Sequence, residues 1–507
     1  MRICLISREY PPETGWGGIA TFTRHLAHGL KEIGHDVVVV SLSKDEDKLV
    51  DDEGIAVHRV KQEWLGKRLG TISLCMPYSR YVLMTSTALW RKFFLLHSEQ
   101  PFDVVDTPEL LAEGFFPSIT KALPLLIRLY TPHSKFIAER LHNVTPSFDH
   151  EFVAGVERIA MLGAGVLSSP SRDLAEFVAN DLNYDIEDIH IVRNPISASE
   201  FSDEGVKHLA SDGGKMRVLF VGRLEERKGI HYLVKAIPEI VMRNKNVEFV
   251  IIGDDTKNAS GQKSVLDELK AIIAKHEIKD YVTFIPRVPL TDLPGYYRSA
   301  DICVIPSVYD NSPYTCLEAM SCGRPVVATT GGGTAEYFVN GESGIAVAPK
   351  DESALASAIN RLLQDTDYRL QIGRNARKHV LANFDRKVVA DQTCQLYKLA
   401  QQRHTERSRS QFYIKPPAKV LQDTVFMLSA FDTMIYDTLY QYSWRFRIRH
   451  WYRIMRYRPR LFLAKTTLKV MNVLGAATGH KIDSLNKLET WLKTETANKQ
   501  IDPGLSI

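Results

Sequence analysis

The sequence lacks any apolar run long enough to cross a membrane. Its apolar stretches, such as Val37–Val40, have the length of a β-strand, whereas a membrane-spanning helix needs about 20 apolar residues. Arg8 and Glu9 also close the first apolar run before a secretory core segment could form. We therefore expect neither a membrane-spanning helix nor a signal peptide, and we predict a cytoplasmic protein.

Cysteine is scarce as well. The chain has six cysteines in 507 residues, and only Cys316 and Cys322 lie near each other in the sequence. No further Cys/His pair stands beside them at the spacing that zinc ligands require. This scarcity is typical of a reducing compartment, and no metal site is expected.

The remaining composition is that of a globular protein with an unusual tail. The chain is 44% hydrophobic and 24% charged, which excludes wholesale disorder, and its length predicts about three domains or a two-lobe plan. Residues 403–507 hold 18 Lys+Arg against 8 Asp+Glu, whereas the other 402 residues hold 46 against 52. A basic tail on a mildly acidic body indicates that the tail meets an anionic partner.

Short apolar runs alternate with amphipathic segments along most of the chain. Arg2–Ser7 and Asp36–Leu42 are predicted strands with a helix between them, which is the β-α-β order of a parallel sheet. A second series of the same kind follows the polar stretch Ser202–Lys215. Residues 62–100 interrupt the first series and are predicted to be helical. The pattern predicts an α/β protein with two units joined by one linker.

Three loops carry candidate binding residues. Gly15, Gly17 and Ala20 imitate a dinucleotide fingerprint, but the loop starts too far from its strand and the next strand ends without a carboxylate for a ribose. The loop is therefore either a flexible turn or a phosphate site at a helix N-terminus. In the second series, Arg223 and Lys228 place two cations in one strand-to-helix turn, which suits a diphosphate.

The third loop contains two acids eight positions apart, Asp310 and Glu318. Carboxylates bind sugar hydroxyls, and the helix N-terminus between them could bind phosphate. Taken alone, the pair is explained better by a helix cap at Asp310 and a surface charge at Glu318 than by ligand binding.

In register, these motifs resemble the family 4 (group 1) retaining glycosyltransferases of the GT-B fold, over roughly residues 1–400. The resemblance is carried by Gly222-Arg223-Leu224 with Lys228-Gly229, by the acid-x7-acid motif followed by Ala319-Met320 and Cys322-Gly323, and by Gly331-Gly332-Gly333 with Glu336. It implies two Rossmann-like α/β domains facing across a cleft, plus a C-terminal helical extension. The expected segments are an N-terminal acceptor-side domain, 1–205; a C-terminal nucleotide-sugar-binding domain, 206–385; a helix returning to the N-terminal lobe, 386–402; and a basic, aromatic-rich helical extension, 403–507.

The resemblance also implies roles for individual residues. Arg223 and Lys228 would hold the donor diphosphate and stabilise the charge that develops on it, and Asp310 and His133 would complete the catalytic set. The other donor-binding positions are Gly17 and Gly18 at the diphosphate, Val288 at the base, Tyr314, Thr315 and Leu317 at the helix N-terminus, and Glu318 at the ribose.

Some positions depart from the family pattern or have a second explanation. The family's first acid is usually Glu, and Asp310 is one methylene shorter; Pro286 stands where glycine is common. His133 could instead be a core histidine at a strand end, and Glu336 is explained equally by a bond to a backbone amide and by a substrate role. No Asp-x-Asp lies where a metal–diphosphate site would be expected, so we predict a reaction without metal or cofactor.

The tail permits two interpretations. Tyr436–Phe462 contains nine aromatic residues, and no acid lies between Asp437 and Asp483. As a helix ended by Pro459, it would place aromatic and apolar residues on one face and arginines on another. Such a helix would either lie on an anionic membrane through 436–469 or pack on the body of the protein. No other feature resembles a nucleic-acid-binding module, so no nucleic-acid partner is expected.

Together with the resemblance, from which alone retention of configuration follows, these features predict a retaining, metal-independent glycosyltransferase of the hexosyltransferase type (EC 2.4). It would move a sugar from a nucleotide-diphosphate sugar to a saccharide or lipid-linked acceptor, in cell-surface polysaccharide or glycolipid synthesis at the inner face of the plasma membrane. Two alternatives stay open. A sugar-nucleotide epimerase would share the two-lobe shape without needing an acceptor, and a non-catalytic scaffold would only bind membranes.

Overall fold

The computed structural model describes residues 1–15, 17–62, 76–138, 147–209, 214–256, 264–409, 448, 451–452, 455–456 and 459–478. The chain divides into two compact units. The first comprises Met1–Leu65 and Met76–Thr424, and the second comprises Gly66–Cys75 and Val425–Ile507. The first unit contains both predicted α/β series, and the predicted α/β fold class is confirmed.

The N-terminal lobe of the first unit is built on a sheet of eight described strands. The strand order is β3-β4-β2-β1-β5-β6-β7-β8, and only the pair β3–β4 is antiparallel. Central strands such as β2 are buried along almost their whole length, as expected where helices cover both faces of a parallel sheet. The strands are β1 (Arg2–Ile6), β2 (Asp36–Ser43), β3 (Lys48–Asp52), β4 (Ile55–Lys61), β5 (Val104–Pro108), β6 (Leu125–Arg128), β7 (Val166–Ser169) and β8 (Ile189–Ile191).

The C-terminal lobe is built on a second, entirely parallel sheet. Its six described strands have the order β11-β10-β9-β12-β13-β14. Since parallel strands end at the same edge, the loops after β9, β10 and β12 lie side by side and are available for a ligand. The strands are β9 (Met216–Val221), β10 (Val247–Ile252), β11 (Val282–Ile285), β12 (Ile302–Ile305), β13 (Val326–Thr329) and β14 (Ile345–Val347).

Helices connect these strands. Several begin with a side-chain cap, for example Ser171, whose Oγ accepts a hydrogen bond from the Leu174 amide, because a helix leaves its first amides without backbone partners. The helices are α1 (Gly18–Glu32), α2 (Pro77–Glu99), α3 (Phe115–Thr120), α4 (His133–Ala138), α5 (Phe148–Gly163), α6 (Arg172–Leu182), α7 (Ile230–Arg243), α8 (Val265–Lys275), α9 (Leu293–Ser299), α10 (Tyr314–Ser321), α11 (Glu352–Gln364), α12 (Thr366–Asn383), α13 (Arg386–Arg409) and α14 (Pro459–Thr478).

Helix α13 leaves the C-terminal lobe and packs on the N-terminal one. It was predicted over 386–402 and extends to Arg409. Close packing on α1 needs a glycine there, because a Cβ at Gly29 would lie 2.3 Å from the Arg386 carbonyl oxygen. Tyr397 of α13 donates a hydrogen bond of 2.6 Å to Asp106, in the middle of β5.

Helix α14 belongs to the second unit and differs from the tail prediction. Pro459 begins this helix, whereas the pattern of aromatic residues predicted that a helix would end there; proline is tolerated in a first helical turn because its missing N–H has no partner in the helix. Most of the predicted tail helix lies outside the described residues, as do residues 63–75 of the predicted helical segment. Among the described residues, no helix combines the length and the apolar character needed to span a bilayer.

Candidate functional site

The loop after β1 leads to an open helix N-terminus. Gly17 is the N-cap of α1, and as a glycine it offers no side-chain cap to the free amides there. Gly18 is exposed, and a Cβ placed on it would contact no atom within 4 Å. The first turn of α1 therefore has room for a ligand to approach its backbone, and its dipole favours an anion.

The loop after β9 brings a cation to Asp310. Lys228 Nζ lies 2.5 Å from Asp310 Oδ2, and Arg227 Nη1 lies 3.5 Å from Oδ1. Arg227 also pairs with the buried Glu225 at 2.8 Å. Burial alone would raise the pKa of Asp310, but the charges of Lys228 and Arg227 outweigh it and lower this pKa below its usual value. Asp310 is therefore a carboxylate at neutral pH.

Arg227 and Glu225 were not predicted as site residues. Both lie between Arg223 and Lys228, so the sequence shows that they belong to the same loop. Their partners depend on how that loop folds, which the sequence does not show. Arg223 itself pairs with Glu225, at 3.4 Å, and its side chain is 57% exposed. Most of its guanidinium is thus accessible to a ligand, as a diphosphate contact requires.

Glu318 lies at the wall of a cleft between the lobes. Its Oε2 accepts a hydrogen bond of 2.7 Å from Tyr297. Burial raises the pKa of Glu318 to about 7, although the Tyr297 bond acts in the opposite direction. The cleft has a volume of about 540 Å³. Residues of both lobes line it: Pro11, Pro12, Thr21, Arg24, His25, Asp52, Glu53, Glu200, Phe201, Leu290, Thr291, Pro294 and Glu318.

The remaining donor-side predictions fall around this cleft. Helix α10 starts at Tyr314 without a side-chain cap. The Cys316 amide bonds to the Pro313 carbonyl at 3.2 Å, and the amides of Tyr314 and Thr315 have no partner within the helix. The side chains of Tyr314 and Leu317 are buried and Thr315 is half-buried. Val288 is also half-buried, two residues before the cleft residue Leu290. Any contact of Tyr314 or Leu317 with a ligand would therefore use the backbone.

His133 lies in the N-terminal lobe as the first residue of α4. Its Nε2 is 2.7 Å from Nδ1 of His150, and its ring is 5.0 Å from that of Tyr78. Burial, with the charge of His150 as a second cause, lowers the pKa of His133 to about 4. His133 is therefore neutral at physiological pH, and one of its two ring nitrogens is engaged by another side chain. His150 was not predicted from the sequence.

Buried carboxylates hold the loop that carries His133. Glu157 accepts a bond of 2.6 Å from the His133 amide, and Glu109 accepts bonds of 2.7 and 2.8 Å from the Tyr130 amide. Burial raises the pKa of both, to about 7 for Glu109. Bonds to backbone amides fix the path of this loop at the carboxyl end of β6.

A polar seam joins the two lobes beside Asp310. Asn311 accepts a hydrogen bond of 2.5 Å from Ser171 Oγ and donates one of 2.5 Å to the Tyr130 carbonyl. The Ser312 carbonyl accepts a bond of 3.0 Å from Asn194. These residues, with Tyr309 and Glu336 on one side and 172–173 and Arg193 on the other, are called the interlobe seam below.

Glu336 contributes the second set of contacts in the seam. Its carboxylate accepts bonds of 2.9 Å from the Arg172 amide and 3.2 Å from the Asp173 amide, and it pairs with Arg193 at 2.7 Å. Tyr309 donates a bond of 3.0 Å to Asp173. Of the two explanations for Glu336, the structure supports the bond to backbone amides, but the amides belong to the first turn of α6 in the other lobe.

Metal ligands were not expected from the sequence. Within the part of the chain that the structure describes, no group of three or more His, Cys, Asp or Glu side chains is arranged to hold a metal ion. The described cysteines, at positions 4, 303, 316, 322 and 394, are free and buried.

Two family models match the chain, one to each lobe. A model described as glycosyl transferase 4-like domain matches residues 17–195, and one described as glycosyl transferases group 1 matches residues 202–379. An uncharacterized glycosyltransferase of Methanocaldococcus jannaschii is 28% identical over 409 residues, which cover 79% of this chain and 98% of that protein.

Solved structures are similar over the same part of the chain. Sucrose-phosphate synthase from Thermosynechococcus elongatus has a TM-score of 0.60 at 22% identity, covering 78% of this chain and 98% of that one. The HepE protein of Anabaena, in complex with UDP-glucose, has a TM-score of 0.55 at 18% identity, covering 78% and 99%. At these identities the likeness shows that the fold is shared.

Proposed function

Because the chain belongs to the group 1 glycosyltransferases, has the GT-B fold and is an enzyme of the hexosyltransferase type, we propose that its donor is a nucleotide-diphosphate sugar. One observation carries this proposal. The ion pair between Lys228 and Asp310 lies at the strand ends of the C-terminal lobe, where a cation for phosphate stands next to a carboxylate for sugar hydroxyls. The HepE neighbour, which was solved with UDP-glucose, supports a donor of this class.

Each donor-side residue has a chemical task in this proposal. The exposed guanidinium of Arg223 and the Lys228 ammonium bind the diphosphate, together with the open amides at Gly17 and Gly18 and at the start of α10. Asp310 accepts hydrogen bonds from sugar hydroxyls, and Glu318 accepts them from the ribose. The base lies near Val288, against the backbone that leads to Leu290.

We propose that the leaving diphosphate is stabilised by these cations and helix dipoles, with neither metal nor cofactor. Negative charge grows on the diphosphate as the bond to the anomeric carbon breaks, and donors placed in advance at that oxygen lower the barrier. Closure of the cleft excludes water, which limits hydrolysis of the donor. Transfer that is equally fast with and without EDTA would support the metal-free part of the proposal, whereas activity restored only by a divalent cation would contradict it.

The sugar is transferred with retention of configuration in this proposal, by attack of an acceptor hydroxyl on the face that the diphosphate leaves. His133 contacts the sugar near its anomeric centre; its neutral ring can accept or donate one hydrogen bond there without adding charge. The configuration of the product can be read directly by proton NMR of the anomeric signal, and an inverted product would contradict this part.

We propose that the acceptor is a saccharide or a lipid-linked acceptor, in cell-surface polysaccharide or glycolipid synthesis at the cytoplasmic face of a membrane. We propose that the extension through 436–469 binds that membrane. Support comes from apolar side chains that are exposed in its described part, Ile448 at 59% and Met455 at 44%, next to the exposed Arg456. Co-sedimentation with vesicles rich in anionic phosphatidylglycerol, but not with neutral phosphatidylcholine vesicles, is the expected result, because an anionic surface attracts a polybasic segment.

Calorimetric titration tests the donor site. The native protein, Lys228→Ala and the control Lys235→Ala are titrated with UDP-glucose, GDP-mannose and ADP-glucose. Lys235 forms a solvent-exposed pair with Glu352, at 3.7 Å, and its ammonium lies 5.4 Å from the centre of the Tyr232 ring; none of these residues belongs to the proposed donor site, so we expect its loss to leave binding unchanged. We expect selective binding of one nucleotide that only Lys228→Ala weakens, by about 100-fold for a lost charge-assisted contact.

The behaviour of the protein with these donors also distinguishes a glycosyltransferase from a scaffold and from an epimerase. Binding of no donor by the folded native protein would contradict the proposed function and favour a scaffold. Conversion of the donor into its epimer, with no nucleotide released in the presence of acceptors, would favour an epimerase.

A further inference from the structure

We propose that Asn311 is a positioning residue that fixes the Asp310 loop against the His133 loop, so that the donor site is complete only while the two lobes are docked. The inference rests on the proposed function, because it treats Asp310 and His133 as parts of one catalytic site. Asn311 is not itself proposed to contact the donor. It links the loop that carries Asp310 to the loop that carries His133.

Asn311 uses both ends of its side chain across the lobe boundary. Its Oδ1 accepts from Ser171 and its Nδ2 donates to the Tyr130 carbonyl, each at 2.5 Å, and only 8% of the residue is exposed. A primary amide offers an acceptor and a donor in one plane. A carboxylate at this position would match Ser171 but would oppose the carbonyl oxygen, and an aliphatic side chain would match neither.

The two anchors of Asn311 are themselves fixed. The Tyr130 amide is held by the buried carboxylate of Glu109, at 2.7 and 2.8 Å. The Ser171 hydroxyl also accepts a bond of 3.1 Å from the Leu174 amide, as the cap of α6. Asn311 is therefore bound to rigid points of the N-terminal lobe, and His133 follows Tyr130 by three residues on the same loop.

On the other side, a glycine turn packs directly on the loop of Asp310 and Asn311. The Gly333 amide donates a bond of 3.1 Å to the Asp310 carbonyl, and the Asp310 amide donates one of 3.0 Å to Gly331. A Cβ on Gly333 would lie 2.2 Å from the Asn311 carbonyl oxygen and 2.4 Å from Ser171 Cβ. Because no space is left, a displacement of Asn311 must also displace Asp310.

The Glu336 contacts provide an independent reporter of docking. The amides of Arg172 and Asp173 donate to Glu336 and make no bond to Asn311. If the lobes separate more often once Asn311 is changed, these two amides become accessible to solvent and exchange their hydrogens faster. A change confined to the Asn311 side chain would leave their exchange unaltered.

The experiment compares the native full-length protein with Asn311→Ala and Asn311→Asp. Hydrogen–deuterium exchange is measured on peptides covering Arg172 and Asp173, UDP binding by calorimetry, and turnover as UDP released when water takes the glucose of UDP-glucose. We expect exchange to accelerate about tenfold and turnover to fall about 10- to 100-fold, since a misplacement near 1 Å has that cost. The dissociation constant of UDP should change by less than about threefold, because most of its proposed contacts, those of Arg223, Lys228, Glu318 and the start of α10, are in the C-terminal lobe and only those of Gly17 and Gly18 are not.

The control is Asn375→Ala, since Asn375 donates to the Glu342 carbonyl inside the C-terminal lobe, at 2.9 Å. The proposal is overturned if Asn311→Ala behaves like this control, or if turnover falls with no change in exchange at Arg172 and Asp173. Asn311→Asp keeps the size of the side chain and serves if the alanine variant fails to fold. Should the native protein bind none of UDP, GDP and ADP, the proposed function fails and the catalytic role of Asn311 with it. The exchange data tell the two failures apart, because they need no ligand.

Discussion

Tyr297 donates a hydrogen bond of 2.7 Å to Glu318 in the wall of the interlobe cleft, and no cation pairs with this carboxyl in the described part of the chain. The pKa values of Glu318 and Asp310 are shifted in opposite directions. Both carboxyls are buried, but Lys228 and Arg227 lower the pKa of Asp310, whereas burial raises that of Glu318 to about 7. The two acids of one motif are therefore in different protonation states at slightly acidic pH.

We predict that nucleotide binding weakens below pH 7 and that Glu318 is responsible. Below its pKa of about 7 the free carboxyl holds a proton; ribose hydroxyls donate best to the charged form, so binding releases that proton. The affinity should thus rise with pH up to about 7, by up to tenfold per pH unit for one linked proton, and then stay level. Calorimetry of UDP binding in two buffers of different ionisation enthalpy measures the released proton.

The control for this prediction is Glu318→Gln, which keeps the shape of the side chain but cannot titrate. Its affinity should be weaker at pH 8 and independent of pH between 6 and 8 (a range of about one unit on either side of the Glu318 pKa). A variant that kept the pH dependence of the native protein would show that another group takes up the proton.

The strands and the donor motif were predictable from the sequence because their causes are local. The pattern predicts a strand over Asp36–Leu42, and β2 spans Asp36–Ser43, since a short apolar run with four consecutive valines is typical of a strand that is buried on both faces. The sequence indicates Arg223 and Lys228 as a diphosphate site because both cations lie in one strand-to-helix turn. The close contact between Lys228 and Asp310 spans 82 positions, so the sequence could suggest the two residues but not their pairing.

The interlobe seam could not be predicted from one sequence. Asn311 and Tyr130 are 181 positions apart, and Glu336 and Arg172 are 164 apart. Each bond depends on how one lobe docks on the other. A single asparagine in a loop does not indicate which residue of the other lobe it will contact. The contact of His150 with His133 could not be predicted for the same reason, because His150 lies on α5 and only the fold brings it to His133.

We predict that the buried ion pair of Arg128 and Asp106 contributes strongly to stability. Their side chains are 5% and 4% exposed and 2.9 Å apart, and Tyr397 of α13 also bonds to Asp106. Arg128→Met should lower the free energy of unfolding by about 3 kcal/mol, because it leaves a buried carboxylate without its charge partner. Arg243→Met, which removes an exposed pair with Glu239, should cost no more than about 0.5 kcal/mol. Equal losses in urea unfolding would contradict the prediction.

We predict that His25 makes the protein less stable in acid. Burial, followed by the charges of Arg24, Arg386 and His28, lowers the pKa of His25 to about 3, and its Nδ1 is buried without a partner in the described structure. Between pH 6.5 and 4.5 the unfolded chain takes up a proton at this residue that the folded protein does not, so stability falls as the pH falls. His25→Phe should remove about 2 kcal/mol of that loss, as measured by urea unfolding at both pH values.

The matched control is His276→Phe, at an exposed position. It should leave the difference in stability between the two pH values as it is in the native protein. The prediction concerns this difference alone, because buried carboxyls with raised pKa values, such as Glu109 and Glu113, change stability in the opposite direction over the same range. If both phenylalanine variants gave the same difference, the acid sensitivity would not come from His25.

We predict that replacing His150 raises the pKa of His133 without restoring its ordinary value. Burial is the larger cause of the low pKa of about 4, and the charge of His150 is the second. His150→Gln removes the charge but leaves the ring of His133 as buried as before, so the pKa should move upward and stay below 6.5. The titration of His133 can be followed by NMR in protein labelled at histidine, with His133→Gln identifying the signal. Because the rings are only 2.7 Å apart at their nitrogens, an unchanged or lower pKa would mean that His150 acts on His133 only by fixing its tautomer. The direction in which the pKa of His133 moves therefore separates an electrostatic effect of His150 from a purely geometric one.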